Sequence, residues 1–223
     1  MRMVYYDINF IFDIIESGVT SLVLENSLLF EKFLLDIHEQ ILEDKTLFML
    51  YDDEEEVDIP KRCDIITGIF DISFNKRGFQ KRFLAEVEKT SDENDISQLL
   101  CDINSENIEV LERLRLEVDY EMEFAIDFNI ADIFKHFGVK LKEPSGRFAE
   151  RIIDYITVSK KLLGKDCFFI VNCDAFLSTE DYEHLYKFAK YQEVSIVYIR
   201  NRQLELPKFK NEYIIDMDLC EIH

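Results

Sequence analysis

Cys167-Phe-Phe-Ile-Val-Asn-Cys-Asp174 decides the fold class: five consecutive apolar residues run into Asn172 and Asp174. A run this short, apolar at both parities, leaves no face for water and reads as a strand buried on both sides. Working outward, each flank supplies a helix. Upstream, Phe148 to Leu163 carries Phe148, Ile152, Tyr155 and Ile156 on one inward face and ends at Gly164. Downstream, Ser178 is placed to cap a helix, with Asp181 three residues on and Tyr182, Leu185 and Ala189 facing inward. Ser195 to Ile199 and Tyr213 to Ile215 are the last strands. Strands alternating with helices predict an α/β head with a mainly parallel sheet.

The N-terminal part continues this pattern. Met3 to Ile8 reads as a strand, Ser17-Gly18 as a turn and Val19 to Leu24 as a second strand. Asn26 or Ser27 can cap a helix through Gln40, with Leu29, Phe33, Ile37 and Ile41 along one face. Thr46 to Tyr51 is a short strand ending in the acidic run Asp52, Asp53, Glu54, Glu55, Glu56 and Asp58, read as a solvated loop. Ile65 to Phe70 is predicted to be a strand buried on both faces. From Lys76 to about Val118 strand signals stop and charge dominates. Phe79, Phe83 and Val87 form one helical stripe; Ile96, Leu100, Ile103, Ile108, Leu111, Leu114 and Val118 form another. If continuous, that second helix reaches about 35 Å at 1.5 Å per residue. A narrow stripe on so long a helix describes an arm or an oligomer contact better than a domain core. Phe124 to Ile126 is read as a brief pairing, and Ile130 to Phe137 as a short helix closed by Gly138. The predicted division is a head of residues 1–75 and 124–223 with a helical leg of residues 76–123 inserted.

Composition excludes several classes. With 48% apolar residues among 223, the chain can bury a real core. No run is long enough to span a bilayer, and Met1 to Asp7 lacks signal-peptide features, so a soluble cytoplasmic protein is expected. Five cysteines at 63, 101, 167, 173 and 220, without a CxxC pair, argue against a disulfide framework and a zinc site. A formal net charge of −20 should repel a phosphate backbone, whereas clustered carboxylates suit hard cations such as calcium.

In phosphate-loop NTPases a strand like 167–171 ends in the acid that supports magnesium, and a companion loop brings two glycines five apart, then Lys-Ser or Lys-Thr. Here the glycines are 18, 68, 78, 138, 146 and 164, and no pair is five apart. Before the first long helix the chain reads Leu22-Val-Leu-Glu-Asn-Ser27, with Glu25 where glycine and lysine belong. The nucleotide site is therefore expected to be absent. No GxSxG elbow or EF-hand loop occurs, and Glu86-Val-Glu-Lys89 sits on a helix, where such spacing means surface pairing. One acidic cluster stands apart: Glu117, Asp119, Glu121, Glu123 and Asp127, where the arm rejoins the head. In an irregular or extended segment Asp119, Glu121 and Glu123 share a face and repel one another unless a cation screens them, a candidate divalent-ion site.

Four segments, Gly18 to Asn26, Ile65 to Asn75, Phe134 to Leu141 and Phe169 to Asp181, fall in an order and spacing similar to the small adaptation proteins of type II-A CRISPR loci. The likeness covers nearly the whole chain. It implies a head related to phosphate-loop folds without working nucleotide chemistry, a helical leg, and four copies forming a ring that takes up double-stranded DNA at free ends. It further implies calcium at the leg–head junction, where Glu121 and Glu123 match the acidic positions best, and no enzymatic step. The implied role is spacer acquisition beside the integrase proteins and RNA-guided nuclease of the locus. Lys140, Lys142, Arg147 and Arg151, and separately Lys76, Arg77, Lys81 and Arg82, are the candidates to line the DNA. The rival readings are an enzyme (a metal-dependent nuclease or a degenerate phosphate-loop ATPase) and an acidic protein-interaction module without DNA binding.

Overall fold

The computed structural model describes residues 1–43, 46–94, 96–125, 129–204 and 209–222. The chain divides into two compact units, Met1–Ser73 with Pro144–His223, and Phe74–Glu143.

The first unit is built on two sheets. Strands β1 (Arg2–Tyr5), β2 (Phe10–Asp13), β4 (Phe48–Asp52) and β5 (Glu55–Val57) form an antiparallel sheet in the order β2-β1-β4-β5. Strands β3 (Val19–Leu24), β6 (Cys63–Ile66), β7 (Cys167–Val171), β8 (Ser195–Arg200), β9 (Glu212–Ile215) and β10 (Glu221–Ile222) form the second, ordered β10-β9-β3-β8-β7-β6. This second sheet is parallel except where β10 turns back on β9. Every residue of β3, β7 and β8 is buried; β7 is apolar throughout, while β3 and β8 also bury Thr20, Ser21, Ser195 and Arg200.

Helix α1 (Ser27–Glu43) turns Phe33, Ile37 and Ile41 into a core shared by both sheets, against Met3, Phe12, Phe48 and Leu50 from one and Leu22, Phe169 and Val197 from the other. Tyr5 stacks on Phe48 with centroids 4.4 Å apart, and Phe33 meets both rings edge-on. Helices α6 (Phe148–Leu163) and α7 (Thr179–Tyr191) bury Ile152, Tyr155, Ile156, Tyr182, Leu185 and Ala189. Ser178 and Asp181 make the expected capping box. A short helix, α2 (Ile59–Arg62), precedes β6.

The second unit holds α3 (Arg77–Glu93), α4 (Ile96–Glu117) and α5 (Ile130–Phe137). Helix α5 opens with a capping box between Asn129 and Asp132 and closes at Gly138, whose φ of 61° suits glycine.

The structure corrects several expectations. The antiparallel sheet goes beyond the predicted parallel one, because β2 and β5 are only four and three residues long and β5 has one apolar residue. The acidic run is half strand: Glu55–Val57 pairs with β4 across a turn in which Asp53 has φ 54°. The strand predicted over Ile65 to Phe70 stops at Ile66, and Phe70 is 89% exposed. Arg151 on α6 donates to the carbonyls of Ile69 and Ile72, and Asp71 accepts from the Thr67 backbone, so this apolar stretch is held as a loop. Phe124 and Ala125 form no strand, and Ile126 lies outside the described residues. The predicted leg boundary at residue 123 falls instead at Glu143, because α5 packs on α3, with Phe83 and Phe134 centroids 5.7 Å apart.

Candidate functional site

Two places carry the chemistry that the sequence raises: the carboxyl-end edge of the parallel sheet, and the charged surfaces of the helical unit. At the sheet edge, β3 leads through Glu25 and Asn26 into α1. The Asn26 side-chain carbonyl accepts from the backbone N–H groups of Leu28 and Leu29, and its amide donates to the Met217 carbonyl. Glu25 N–H is engaged by the Ile215 carbonyl. The helix terminus that would meet a phosphate is thus filled by the chain's own cap. Beyond β7, Asp174 accepts from the Tyr182 hydroxyl at 2.6 Å. Burial first, then that hydrogen bond, pushes the Tyr182 phenol well above its usual range, so it stays a donor. Burial, with Asp174 beside it, also pushes the Cys173 thiol up to about 12, which leaves it inert as a nucleophile at neutral pH.

A buried guanidinium lies under the same edge, and nothing in its residue type or spacing signalled it. Arg200 ends β8 and is 1% exposed. It donates to Glu212 at 2.7 Å and to the Ser21 hydroxyl, and its guanidinium lies 4.8 Å from the Phe209 ring centroid. It ties β8, β3 and β9 together.

The basic candidates separate. Arg147 and Arg151 belong to the first unit and have internal partners: Arg147 pairs with the nearly buried Asp181 at 2.8 Å, and Arg151 is spent on the 69–72 loop. Lys140 and Lys142 belong to the second unit and are exposed. Lys76, Arg77, Lys81 and Arg82 are also exposed, around the N-terminus of α3. That helix has no acidic residue in its first turn and no side-chain cap. Cations at the positive end of a helix oppose its dipole, each by about 0.3–1 kcal/mol, an arrangement that an anion relieves.

The acidic candidates do not gather. Glu117 ends α4, and Asp119, Glu121 and Glu123 are exposed along the irregular segment 118–125; Asp127 lies outside the described residues. Among the described residues no three of His, Cys, Asp and Glu are placed to hold a metal ion. Calcium needs six to eight oxygens, and these four carboxylates do not supply a cage within one chain. No described helix is long and apolar enough to cross a membrane.

A mixed α/β protein with a helical unit inserted in chain order between β6 and β7 is thereby defined. A family profile, that of the CRISPR-associated protein family Cas_Csn2, matches residues 40–219. The chain belongs to this family, and its role is in the adaptation stage of type II-A CRISPR systems. A solved structure, described as the crystal structure of Stu0660 of Streptococcus thermophilus, has a similar fold. The TM-score is 0.64 at 16% identity, over 100% of this chain and 76% of that one. No curated protein sequence matches the chain.

Proposed function

We propose that the chain binds free ends of double-stranded DNA through phosphate contacts, as a homotetramer, during spacer acquisition, with no enzymatic step of its own. The observation that carries the DNA reading is the basic N-terminus of α3: Arg77, Lys81 and Arg82 crowd an end of a helix that lacks an acid or a side-chain cap. Backbone N–H groups and guanidinium groups there suit phosphate oxygens and read no base. Lys140 and Lys142 add exposed charge in the same unit.

The head is read as a phosphate-loop fold that has lost its nucleotide. In support, β3 lies between β9 and β8, β7 is one strand further, and the helix after β3 is capped by Asn26 rather than by a ligand. Self-association is supported by α4, a 22-residue helix in which no described residue is buried. Calcium belongs to this proposal as an ion of the assembly, screening Glu117, Asp119, Glu121 and Glu123, and no step depends on it. The expected partners are the integrase proteins and RNA-guided nuclease of the locus, in the cytoplasm.

A gel shift comparing linear with covalently closed circular DNA, each with calcium and with chelator, tests the proposal. Retardation of linear DNA alone, without strand cleavage, is expected. Equal retardation of both forms rules out end binding, and cleavage rules out the absence of chemistry.

A further inference from the structure

The antiparallel sheet of the first unit has one face in the core and an outer face on which, among the described residues, Ile11 is exposed and Val4 and Met49 are half-buried. Its register places Ile11, Val4 and Met49 side by side across β2, β1 and β4 on the outer face. Ile11 is 52% exposed, in the middle of a strand where alternation calls for a polar residue. Tyr6 and Tyr51 direct their hydroxyls at the Met49 sulfur, which extends the apolar row with aromatic surface. A methionine between two tyrosines on a sheet face is adaptable contact surface.

The border of this row is acidic. Next to it runs a second register row, Asp13–Arg2–Tyr51–Glu56, in which Arg2 is neutralised by Asp13 at 3.0 Å. The β4–β5 hairpin continues with Asp53, Glu54 and Glu55, all exposed, lining an open cavity of about 830 Å³. The cation in that cavity, Arg62, is occupied by Asp52 and Asp166. Among the described residues Asp53, Glu54, Glu55 and Glu56 have no cationic partner. An apolar centre with an unneutralised rim of one sign is complementary to a partner of the opposite sign, and it repels nucleic acid.

We propose that this outer face docks a basic polypeptide, which places an apolar side chain on the Ile11–Val4–Met49 row and Lys or Arg against Glu56 and the acids of the adjoining turn, Asp53 and Glu54. This face belongs to the first unit and the basic residues of α3 to the second, so the two ligands use different residues.

A chain of net charge −20 attracts any polycation, so the test must separate docking from bulk attraction. The probe is a fluorescein-labelled amphipathic peptide of Leu and Lys, titrated by anisotropy at physiological salt against full-length protein. Asp53→Asn/Glu54→Gln/Glu56→Gln should weaken binding by about tenfold, roughly 1.4 kcal/mol. Glu88→Gln/Glu106→Gln/Glu109→Gln, which removes the same net charge from α3 and α4, should change it less than about twofold. Ile11→Asp discriminates most sharply. It adds charge of the attractive sign, so pure Coulomb binding would tighten, whereas loss of an apolar contact weakens it. Circular dichroism checks that each variant folds. Equal losses in the two triple variants, or tighter binding to Ile11→Asp, would overturn the proposal.

Discussion

Arg62 shows how much one side chain can be asked to hold. It stands just before β6, donates to Asp166 through Nε and Nη2, and reaches Asp52 at the end of β4 through Nη1 at 2.6 Å. It thereby links the antiparallel sheet to the lead-in of β7. The three side chains are only about 30% exposed, so the network is worth more than an ordinary surface pair. Arg62→Ala removes the bridge and leaves two carboxylates facing a shared gap. The expected cost at pH 7 is about 1–2 kcal/mol, or a fall in Tm of about 3–6 °C for a domain of this size. The hydrogen bond from Arg62 holds Asp52 below the usual carboxylate range. A depressed carboxylate contributes stability above its unfolded pKa and loses it as pH falls through the folded value. The gap between parent and variant should therefore be widest at neutral pH and shrink below about pH 4. A gap that stays constant from pH 7 to pH 3 would show that packing, not charge, is lost.

At the scale of elements, α4 makes the clearest demand. Ile96, Ile103 and Val110 recur every seven residues, with Leu99 and Leu114 beside them, and all five are between 36% and 58% exposed. A seven-residue apolar repeat on an exposed helix is the pattern of a helix–helix seam. Ile103→Glu/Val110→Glu should leave far-UV dichroism unchanged and convert the tetramer expected in sedimentation into a smaller species at about 10 μM. Identical sedimentation of parent and variant would place the assembly contact elsewhere. The elements also show what the sequence could and could not convey. Val19–Leu24 was legible to the residue because β-branched and apolar residues fill both parities, and α6 and α7 were legible from their stripes and their Gly164 and Ser178 ends. The run after Ile66 misled because Ile69 and Phe70 look like strand, while what holds them as a loop, Arg151, is over 80 residues away. Long-range hydrogen bonds of that kind leave no local trace. The candidate site divides the same way. Charge clusters were visible, but only the fold could show Arg147 paired with Asp181 and Arg151 engaged by the 69–72 loop, Lys140 and Lys142 left exposed, and the 117–123 carboxylates ungathered.

The whole molecule must reconcile a net charge of −20 with a proposed DNA ligand, and two measurements settle whether it does. The first concerns calcium. A ligand raises Tm only for the state that binds it, so calcium should stabilise the parent and do little for Glu121→Gln/Glu123→Gln. Equal shifts in both would move the ion away from this segment. The second concerns DNA itself. At physiological salt repulsion is screened beyond about 8 Å, so distant carboxylates matter less than the cations at the contact. Arg77, Lys81 and Arg82 sit within two turns of one helix end with no acid between Lys76 and Ala85, a local field of one sign. Arg77→Glu/Lys81→Glu should weaken binding to linear DNA by at least about tenfold and flatten its dependence on salt, because each phosphate contact contributes about one counterion to the slope. The loss should be equal for unrelated DNA sequences, since phosphates carry no base information. Lys140→Glu/Lys142→Glu should act in the same direction. Arg147→Gln, by contrast, should lower Tm through Asp181 and leave the salt slope unchanged, because that guanidinium is already paired within the fold. A slope that falls with Arg147→Gln and not with Arg77→Glu/Lys81→Glu would move the DNA from the helical unit to the head.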